Sequence, residues 1–345
     1  MKVLFIGLGS IGQRHLRNLR SIKGSSFDIM AFRSKNQSLV LDEKKNASEN
    51  TSIKQKFNIH EFYDLSQALA EKPNIAFITN PSEYHISAAL QAAKAGCHLF
   101  IEKPLSADTE RVDELIDIVA HKKLKAMVAY QFRFHPGLKQ ALKWIKRKTI
   151  GRLISATLTQ GDYLPNWHPY EDYRDSYASR KELGGGVLLT QIHEFDNALC
   201  LFGVPKRIFS MGGKSSQLEI NVEDTASVLM ECEYERQMLP VTILTDFIQS
   251  PPVRNYNIIG ENGRIFLDLI NSNISLSMRE SQITEFFEYK DFNRNQLFID
   301  ELKYFLEIVS GNIEPIVNIE TGLVSLRMAL AAHKSLKTGE PVKLK

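Results

Sequence analysis

The chain has 345 residues, 43% hydrophobic and 24% charged, with a formal net charge of +3. That length accommodates about two domains and a sizeable core, and so small a charge gives no electrostatic footprint for nucleic acid or an anionic membrane surface. Cys97, Cys200 and Cys232 are odd in number and widely spaced, which excludes a disulfide framework and any zinc-type spacing, so no metal site is expected. No signal peptide and no bilayer-spanning apolar run is visible, and a cytoplasmic protein is expected.

Val3-Leu4-Phe5-Ile6 reads as a buried strand, followed at once by Gly7-Leu8-Gly9-Ser10-Ile11-Gly12 and a helix carrying Leu16 and Leu19 on one face. Strand, G-x-G-x-x-G and helix in that order form a dinucleotide fingerprint; a methyltransferase-type glycine loop is the main competitor. In the dinucleotide reading Gly7 permits the tight turn and Gly12 allows close helix packing. Gly9, Ser10 and Ile11 then bring backbone N–H groups to a pyrophosphate. A second strand over 27–32 should end on an acid for the ribose 2′-hydroxyl of NAD, but Phe32-Arg33-Ser34-Lys35 stands there instead. Arg33 and Ser34 suit the 2′-phosphate of NADP, so NADP(H) is favoured; alternatively Arg33 stacks on adenine and NAD(H) is accepted too.

Residues 35–56 are polar and read as a loose surface excursion. Order returns with the strand Ile75-Ala76-Phe77-Ile78, ending at Thr79-Asn80-Pro81 on the ligand side of an open sheet. A helix over 82–95, N-capped by Ser82 and closed by Gly96, follows. His85 on its first turn is either a cofactor contact or a histidine merely touching the strand end. The next strand, 99–101, delivers Glu102-Lys103-Pro104 to its carboxyl end, where a lysine can lose solvation and titrate as an acid or base. A helix over 108–120 and a strand over 126–130 complete a doubly wound parallel sheet.

From Gly151 the pattern changes to alternation, over 153–159, 226–234 and 239–249. Gly260-Glu261-Asn262-Gly263 reads as a hairpin turn between 256–259 and 265–267. A second, α+β domain with one large, mostly antiparallel open sheet is expected, one face needing cover from helices or another subunit. Gly184-Gly185-Gly186 permits close backbone approach, and a helix over 193–201 closes at Gly203. That helix carries His193 with Asp196 on a neighbouring position; a histidine can transfer protons near neutral pH, although a helical histidine alone is more often structural. The stretch 163–177 holds Tyr163, Trp167, Tyr173, Arg174 and Tyr177. Its rings and donors suit a sugar or nucleotide, or else a loop pinned by aromatic packing.

Along nearly its whole length the chain resembles the Gfo/Idh/MocA family (glucose–fructose oxidoreductase, inositol dehydrogenase and relatives). The resemblance rests on the glycine loop, Asn80-Pro81 to His85, Glu102-Lys103-Pro104, Tyr130-Gln131-Phe132-Arg133-Phe134-His135-Pro136, Gly184-Gly185-Gly186 with His193 and Asp196, and Gly339-Glu340-Pro341-Val342. It implies a Rossmann domain, placed at 1–125, and a substrate-binding and oligomerisation domain at 126–345, whose helix near 320–337 is placed to pack back on the first. It also implies a homodimer or homotetramer and reversible NAD(P)-dependent oxidation of a hydroxyl on a sugar, polyol or nucleotide sugar.

Carried onto this sequence, the resemblance has Lys103 contact the reacting hydroxyl and share proton transfer with His193. Glu102 then lies beside the nicotinamide ribose, with Thr79, Asn80, Pro81 and His85 on the cofactor. Arg133, Gln191 and the aromatic stretch fall on the substrate. Inositol-dehydrogenase-like members place an Asp four residues before the histidine; here Leu189 stands there, and Thr190-Gln191-Ile192 is one residue short. Asp196 or Glu194 is left to orient His193, or else Lys103 carries the proton alone. The Trp167-His168-Pro169-Tyr170 loop resembles members associated with bacterial surface glycans. The same fold also admits transient hydride chemistry (an epimerase or NAD-dependent glycoside cleavage) or a non-catalytic dinucleotide or sugar sensor, though a sensor needs no proton relay.

Overall fold

A computed structural model of the chain describes residues 1–24, 26–34, 39–42, 45–48, 52–280 and 284–344. Lys35 lies outside the described residues. The first half alternates strands and helices: β1 (Lys2–Ile6), α1 (Ser10–Lys23), β2 (Asp28–Phe32), β3 (Val40–Leu41), β4 (Ala47–Ser48), α2 (Ile53–Phe57), β5 (His60–Phe62), α3 (Leu65–Ala70), β6 (Ile75–Ile78), α4 (His85–Lys94), β7 (His98–Glu102), α5 (Val112–His121) and β8 (Ala126–Ala129). Six of these strands pair in parallel in the order β5-β2-β1-β6-β7-β8. Helices cover both faces, which is why the strands are continuous apolar runs with every residue of β6 and β8 buried. Strand order reverses between β1 and β6, and that leaves a crevice at the carboxyl ends.

Three local expectations change. Described parts of 35–56 are held against α1: the Gln13 side chain donates to the Leu39 carbonyl (2.9 Å) and accepts from the Leu41 N–H (2.8 Å). Val40, Ile53 and Phe57 are buried there, and Ser52 closes a capping box on α2. Ser82 belongs to a 3₁₀ turn, so α4 begins only at His85. α5 begins at Val112, because Asp108 accepts the Glu110 N–H in a turn (2.8 Å) and Arg111 has a left-handed φ of 59°.

The second half contains α6 (Pro136–Lys146), β9 (Leu153–Gly161), α7 (Val187–Thr190), α8 (His193–Phe202), β10 (Pro205–Gly213), β11 (Thr225–Tyr234), β12 (Gln237–Asp246), β13 (Val253–Gly260), β14 (Gly263–Asp268), β15 (Asn273–Met278), β16 (Thr284–Glu288), α9 (Asn295–Val309), α10 (Ile319–Thr338) and β17 (Val342–Lys343). Nine strands form one sheet in the order β16-β15-β14-β13-β9-β12-β11-β10-β17, antiparallel throughout except for the parallel pair β9 and β12. β12 stops at Asp246, earlier than the alternation predicts, because the Asp246 carboxylate accepts the Ile248 and Gln249 N–H groups and turns the chain. Alternate residues of β11 point into the core against helices on one face.

Strand β8 hydrogen-bonds along β7 in the parallel sheet, although a division at 125/126 assigns it to the second half. The two halves share packing. Phe305 of α9 lies edge-on to Phe77 and Phe100 (6.0 and 5.3 Å), sealing the face of the first sheet that α1 covers. α10 rests on both sheets: Gly322 lies against Val128 of β8, and the Ser335 hydroxyl accepts the Ser210 N–H from β10 (2.9 Å). Among the described residues, no helix is long and apolar enough to cross a membrane.

Candidate active site

The glycine loop closes β1 onto β6. Gly7 takes φ 100°, and a Cβ there would stand 2.7 Å from the Asn80 nitrogen. A Cβ on Gly12 would stand 2.5 Å from the Gly7 carbonyl and 2.9 Å from the Thr79 hydroxyl, which itself donates to the Gly7 carbonyl (2.6 Å). Gly9 is different: a Cβ there meets nothing within 4 Å. Gly9 also caps α1 with no side-chain hydrogen bond, so the first-turn N–H groups are left for a ligand. The loop thus fits a dinucleotide pyrophosphate, with steric demand at Gly7 and Gly12 and open space at Gly9.

A cavity of about 950 Å³ runs from this loop into the second half of the chain. Gly7, Gly9, Ser10 and Ile11 line one end, together with Arg33 and Ser34. Thr79, Asn80, Pro81, His85, Glu102 and Lys103 line the middle, from the ends of β6 and β7. Trp167, Tyr177, Gln191 and His193 face them from the other half. Arg33 is paired with Glu61, and its Nε is buried with no hydrogen-bond partner among the described residues.

Glu102 ends β7 with its carboxylate turned toward α1, where Oε1 lies 2.6 Å from His15 Nε2. Its Oε2 accepts the Lys103 N–H (3.1 Å). Burial pushes the Glu102 pKa up, but the His15 hydrogen bond and the charges of His15 and Lys103 outweigh it and hold the group below the ordinary range. The Lys103 ammonium donates to the Thr190 carbonyl (2.8 Å), tying β7 to α7. Burial pulls its pKa down to about 8, with Arg254 and Arg294 reinforcing and Glu102 and Glu194 resisting.

His193 opens α8. Its ring stands edge-on to Phe132 (4.9 Å) and Tyr130 (5.7 Å), and its Nδ1 is buried with no hydrogen-bond partner among the described residues. Burial and the charges of Lys103, Arg254 and Arg294 hold its pKa well below 6.5, so the ring is neutral. Neither acid on its own helix orients it. Asp196 takes Arg133 in a two-pronged pair (2.7 and 2.9 Å) and accepts from Ser325. Glu194 pairs with Arg254 (3.0 Å) and accepts from Tyr256 (3.1 Å).

Several expected site residues have other work. Arg133 does not line the cavity, because Asp196 holds it. Tyr163 and Tyr173 also lie off the cavity, and the Tyr173 hydroxyl accepts the Glu219 N–H (3.2 Å). Arg174 is an exposed bridge between Asp172 and Glu219. Gln191 lines the cavity, but its amide is anchored to β12 through Thr245 and the Asp246 carbonyl. His85 touches the cavity while its ring nitrogens face the backbone carbonyls of Pro104 and Asn80 (2.8 Å each), so the ring sits wedged between two strand ends and donates to one of them when neutral. Gly12 packs against Gly7 and Thr79 without lining the cavity.

Sequence reasoning missed Arg254, Arg294, Lys45, Gln160 and Asp162, all of which line the cavity. One signal was available: Arg254 occupies the inward register of β13 shared with Tyr256 and Ile258, an unusual place for a charge. Nothing comparable marks Arg294 or Lys45.

Comparison with known proteins bears on this site. Residues 1–130 match the family model GFO_IDH_MocA, described as an oxidoreductase family with an NAD-binding Rossmann fold, and residues 138–266 match the GFO/IDH/MocA C-terminal domain. The myo-inositol 2-dehydrogenase of Thermotoga maritima is 26% identical over 358 aligned positions, covering 100% of this chain and 98% of that protein. D-glucoside 3-dehydrogenase of Escherichia coli is 24% identical, covering 86% of this chain and 87% of that protein. Among solved structures, the WlbA dehydrogenase of Bordetella pertussis, in complex with NADH and UDP-GlcNAcA, superposes with a TM-score of 0.80 at 18% identity, covering 100% of this chain and 99% of that one. Levoglucosan dehydrogenase, in complex with NADH and levoglucosan, superposes with a TM-score of 0.81 at 17% identity, covering 99% of each chain.

Proposed function

The chain belongs to the Gfo/Idh/MocA family of NAD(P)-binding oxidoreductases, and from that premise we propose that it oxidises a hydroxyl, or reduces the matching ketone, on a sugar or nucleotide sugar. The observation that carries this reading is the meeting of Lys103, from the end of β7, with His193, from α8, in the cavity that begins at the glycine loop. The nicotinamide dinucleotide, when bound, supplies the hydride acceptor. The glycine loop and the α1 N-terminus hold its phosphates, and Glu102, fixed by His15, borders the nicotinamide end.

Loss of hydride from a carbinol carbon turns its oxygen into a carbonyl, so the hydroxyl proton must leave as well. Lys103 is built to take it. With its pKa near 8, a large fraction is neutral in mildly alkaline solution, and its bond to the Thr190 carbonyl fixes the amine. Neutral His193 holds the same hydroxyl by one hydrogen bond without adding a second positive charge beside Lys103. The cognate relatives act on inositol and glucosides, and that supports a polyhydroxylated ring as substrate. A screen of sugars and nucleotide sugars, following reduced-cofactor absorbance, tests the reading. Stable reduced cofactor supports it, and turnover without net reduction would replace it with transient hydride chemistry.

NADP(H) is the favoured cofactor in this reading. Arg33 and Ser34 line the cavity with no carboxylate on that strand end, and the unpartnered Arg33 Nε is a spare donor for a 2′-phosphate. Glu61 neutralises part of that charge, so the preference is modest. The assembly in this reading is a homodimer or homotetramer formed through the open face of the nine-stranded sheet. Leu229, and Ser227 opposite Leu244, lie on the outward register of β11 and β12, where both leucines are exposed. Sedimentation at monomer mass would refute it.

A further inference from the structure

Beyond Lys103 the cavity carries a positive charge that the reaction does not use. Arg254 and Gln160 oppose each other across the β13–β9 ladder, and Asp162 follows on the same edge of β9. Arg254 is ion-paired with Glu194 and lies over the Phe132 ring (4.4 Å). Arg294, immediately before α9, lines the cavity next to this group. Its side chain is exposed on the cavity wall although protein atoms crowd around it, and no described carboxylate forms an ion pair with it. Lys45 reaches the same space and donates only to the Trp167 carbonyl (2.6 Å) among the described residues.

The nearby acids do not balance these cations. Glu171 is bonded to His168 (2.7 Å), and Asp175 is bonded to Arg180. Asp162 alone faces Lys45, Arg254 and Arg294 together. Mutual repulsion follows: burial, Arg254 and Arg14 pull Arg294 down to about 10, and burial, Arg14 and Arg294 pull Lys45 down to about 8. Gln160 is 6% exposed, and its side-chain carbonyl has no hydrogen-bond partner among the described residues. A concave site that gathers Lys45 and Arg294 with so little balancing acid presents a positive potential to whatever enters it and favours an anionic ligand.

We propose that Arg294, with Lys45 and Gln160, forms a subsite for an anionic group carried by the substrate, a carboxylate or phosphate attached to the sugar, beside Lys103 and His193. This rests on the reading of the site as a sugar dehydrogenase and narrows it from neutral polyols to acidic sugars or nucleotide sugars. A guanidinium grips either oxyanion with paired, charge-assisted hydrogen bonds, and the Gln160 amide adds a neutral donor. Anion binding also places the ring, since the subsite and Lys103 then fix two points of one molecule.

The test uses the NADH-loaded protein and four probes: glucuronate, UDP and pyrophosphate as anions, and glucose as the neutral counterpart. Calorimetric titration should show at least one anion binding tenfold or more tightly than glucose, and that advantage should collapse in Arg294→Gln and fall with added salt. Glucuronate alone identifies a ring carboxylate; UDP or pyrophosphate identifies a phosphate. Equal binding of anions and glucose, or an advantage that survives Arg294→Gln, overturns the proposal. So does a loss of NADH affinity in Arg294→Gln matching the loss for the anion, because the charge would then serve the cofactor. Failure of the unmodified protein to bind either NADPH or NADH would instead overturn the dehydrogenase reading itself.

Discussion

His15 Nε2 and Glu102 Oε1 lie 2.6 Å apart, with the histidine side chain fully buried and the carboxylate 7% exposed, which joins the first helix to the strand end that carries Lys103. Phe100 and Phe298 stand edge-on to the His15 ring (4.9 and 5.8 Å), so water cannot replace it. His15→Ala therefore strands a buried carboxylate. We expect a loss of roughly 3–5 kcal/mol in urea unfolding, the usual cost of breaking a buried pair. Because Glu102 titrates below its ordinary range when folded, the pair's stability is present above the unfolded carboxylate pKa and is lost as pH falls through the folded one. The difference between wild type and His15→Ala should shrink on acidification; a constant difference would refute the pair's role.

Lys103→Ala and His193→Ala should each lower kcat about a hundredfold or more while NADH still binds. In the unmodified protein, oxidation should climb as pH passes through about 8, where Lys103 loses its proton, and Lys103→Ala should lack that limb. His193 stays neutral over this range, so it adds no limb above pH 6.5. Full activity in both variants would remove these residues from the reaction.

The glycine loop separates binding from folding. Gly9→Ala meets open space and should unfold normally while NADH affinity falls, since the added methyl points where phosphate must approach. Gly12→Ala meets the Gly7 carbonyl at 2.5 Å and should cost roughly 1–3 kcal/mol, as overpacked sites do. Unfolding midpoints measured beside NADH titrations would show the two effects apart; a destabilised Gly9→Ala would be contrary.

Arg33→Ala should raise the NADPH dissociation constant several-fold and leave that of NADH nearly unchanged. Glu61→Gln should act the other way, freeing the guanidinium for a 2′-phosphate. Equal NADPH and NADH constants in the unmodified protein would refute the preference.

Arg133 distinguishes a fold residue from a substrate residue. Its pair with Asp196 is nearly buried, with side chains 12% and 1% exposed. Arg133→Met should destabilise by roughly 3–5 kcal/mol through the stranded carboxylate, and Asp196→Asn combined with it should recover part of that loss. A raised substrate KM without destabilisation would mean that Arg133 reaches the substrate after all.

What the sequence determined by itself was local in cause. Continuous apolar runs such as Val3 to Ile6 become strands buried on both faces, and alternation over β11 becomes a half-buried sheet. The glycine loop follows the same logic in part, because the φ of 100° at Gly7 and the 2.5 Å approach of a Gly12 Cβ to the Gly7 carbonyl are demands local to the loop. Lys103 and His193 were legible as candidates because each stands at the end or start of a recognisable element. Only the tertiary structure decided their company. Asp196, close to His193 in sequence, is taken by Arg133, and Glu194 is taken by Arg254 from β13. Whether a carboxylate orients a histidine, pairs with an arginine or faces a ligand depends on which charges from distant strands are buried with it. Spacing along one helix carries no information about that. Arg294 and Lys45 reach the cavity from loops remote in sequence, and α9 from the second half joins α1 in sealing the face behind Glu102.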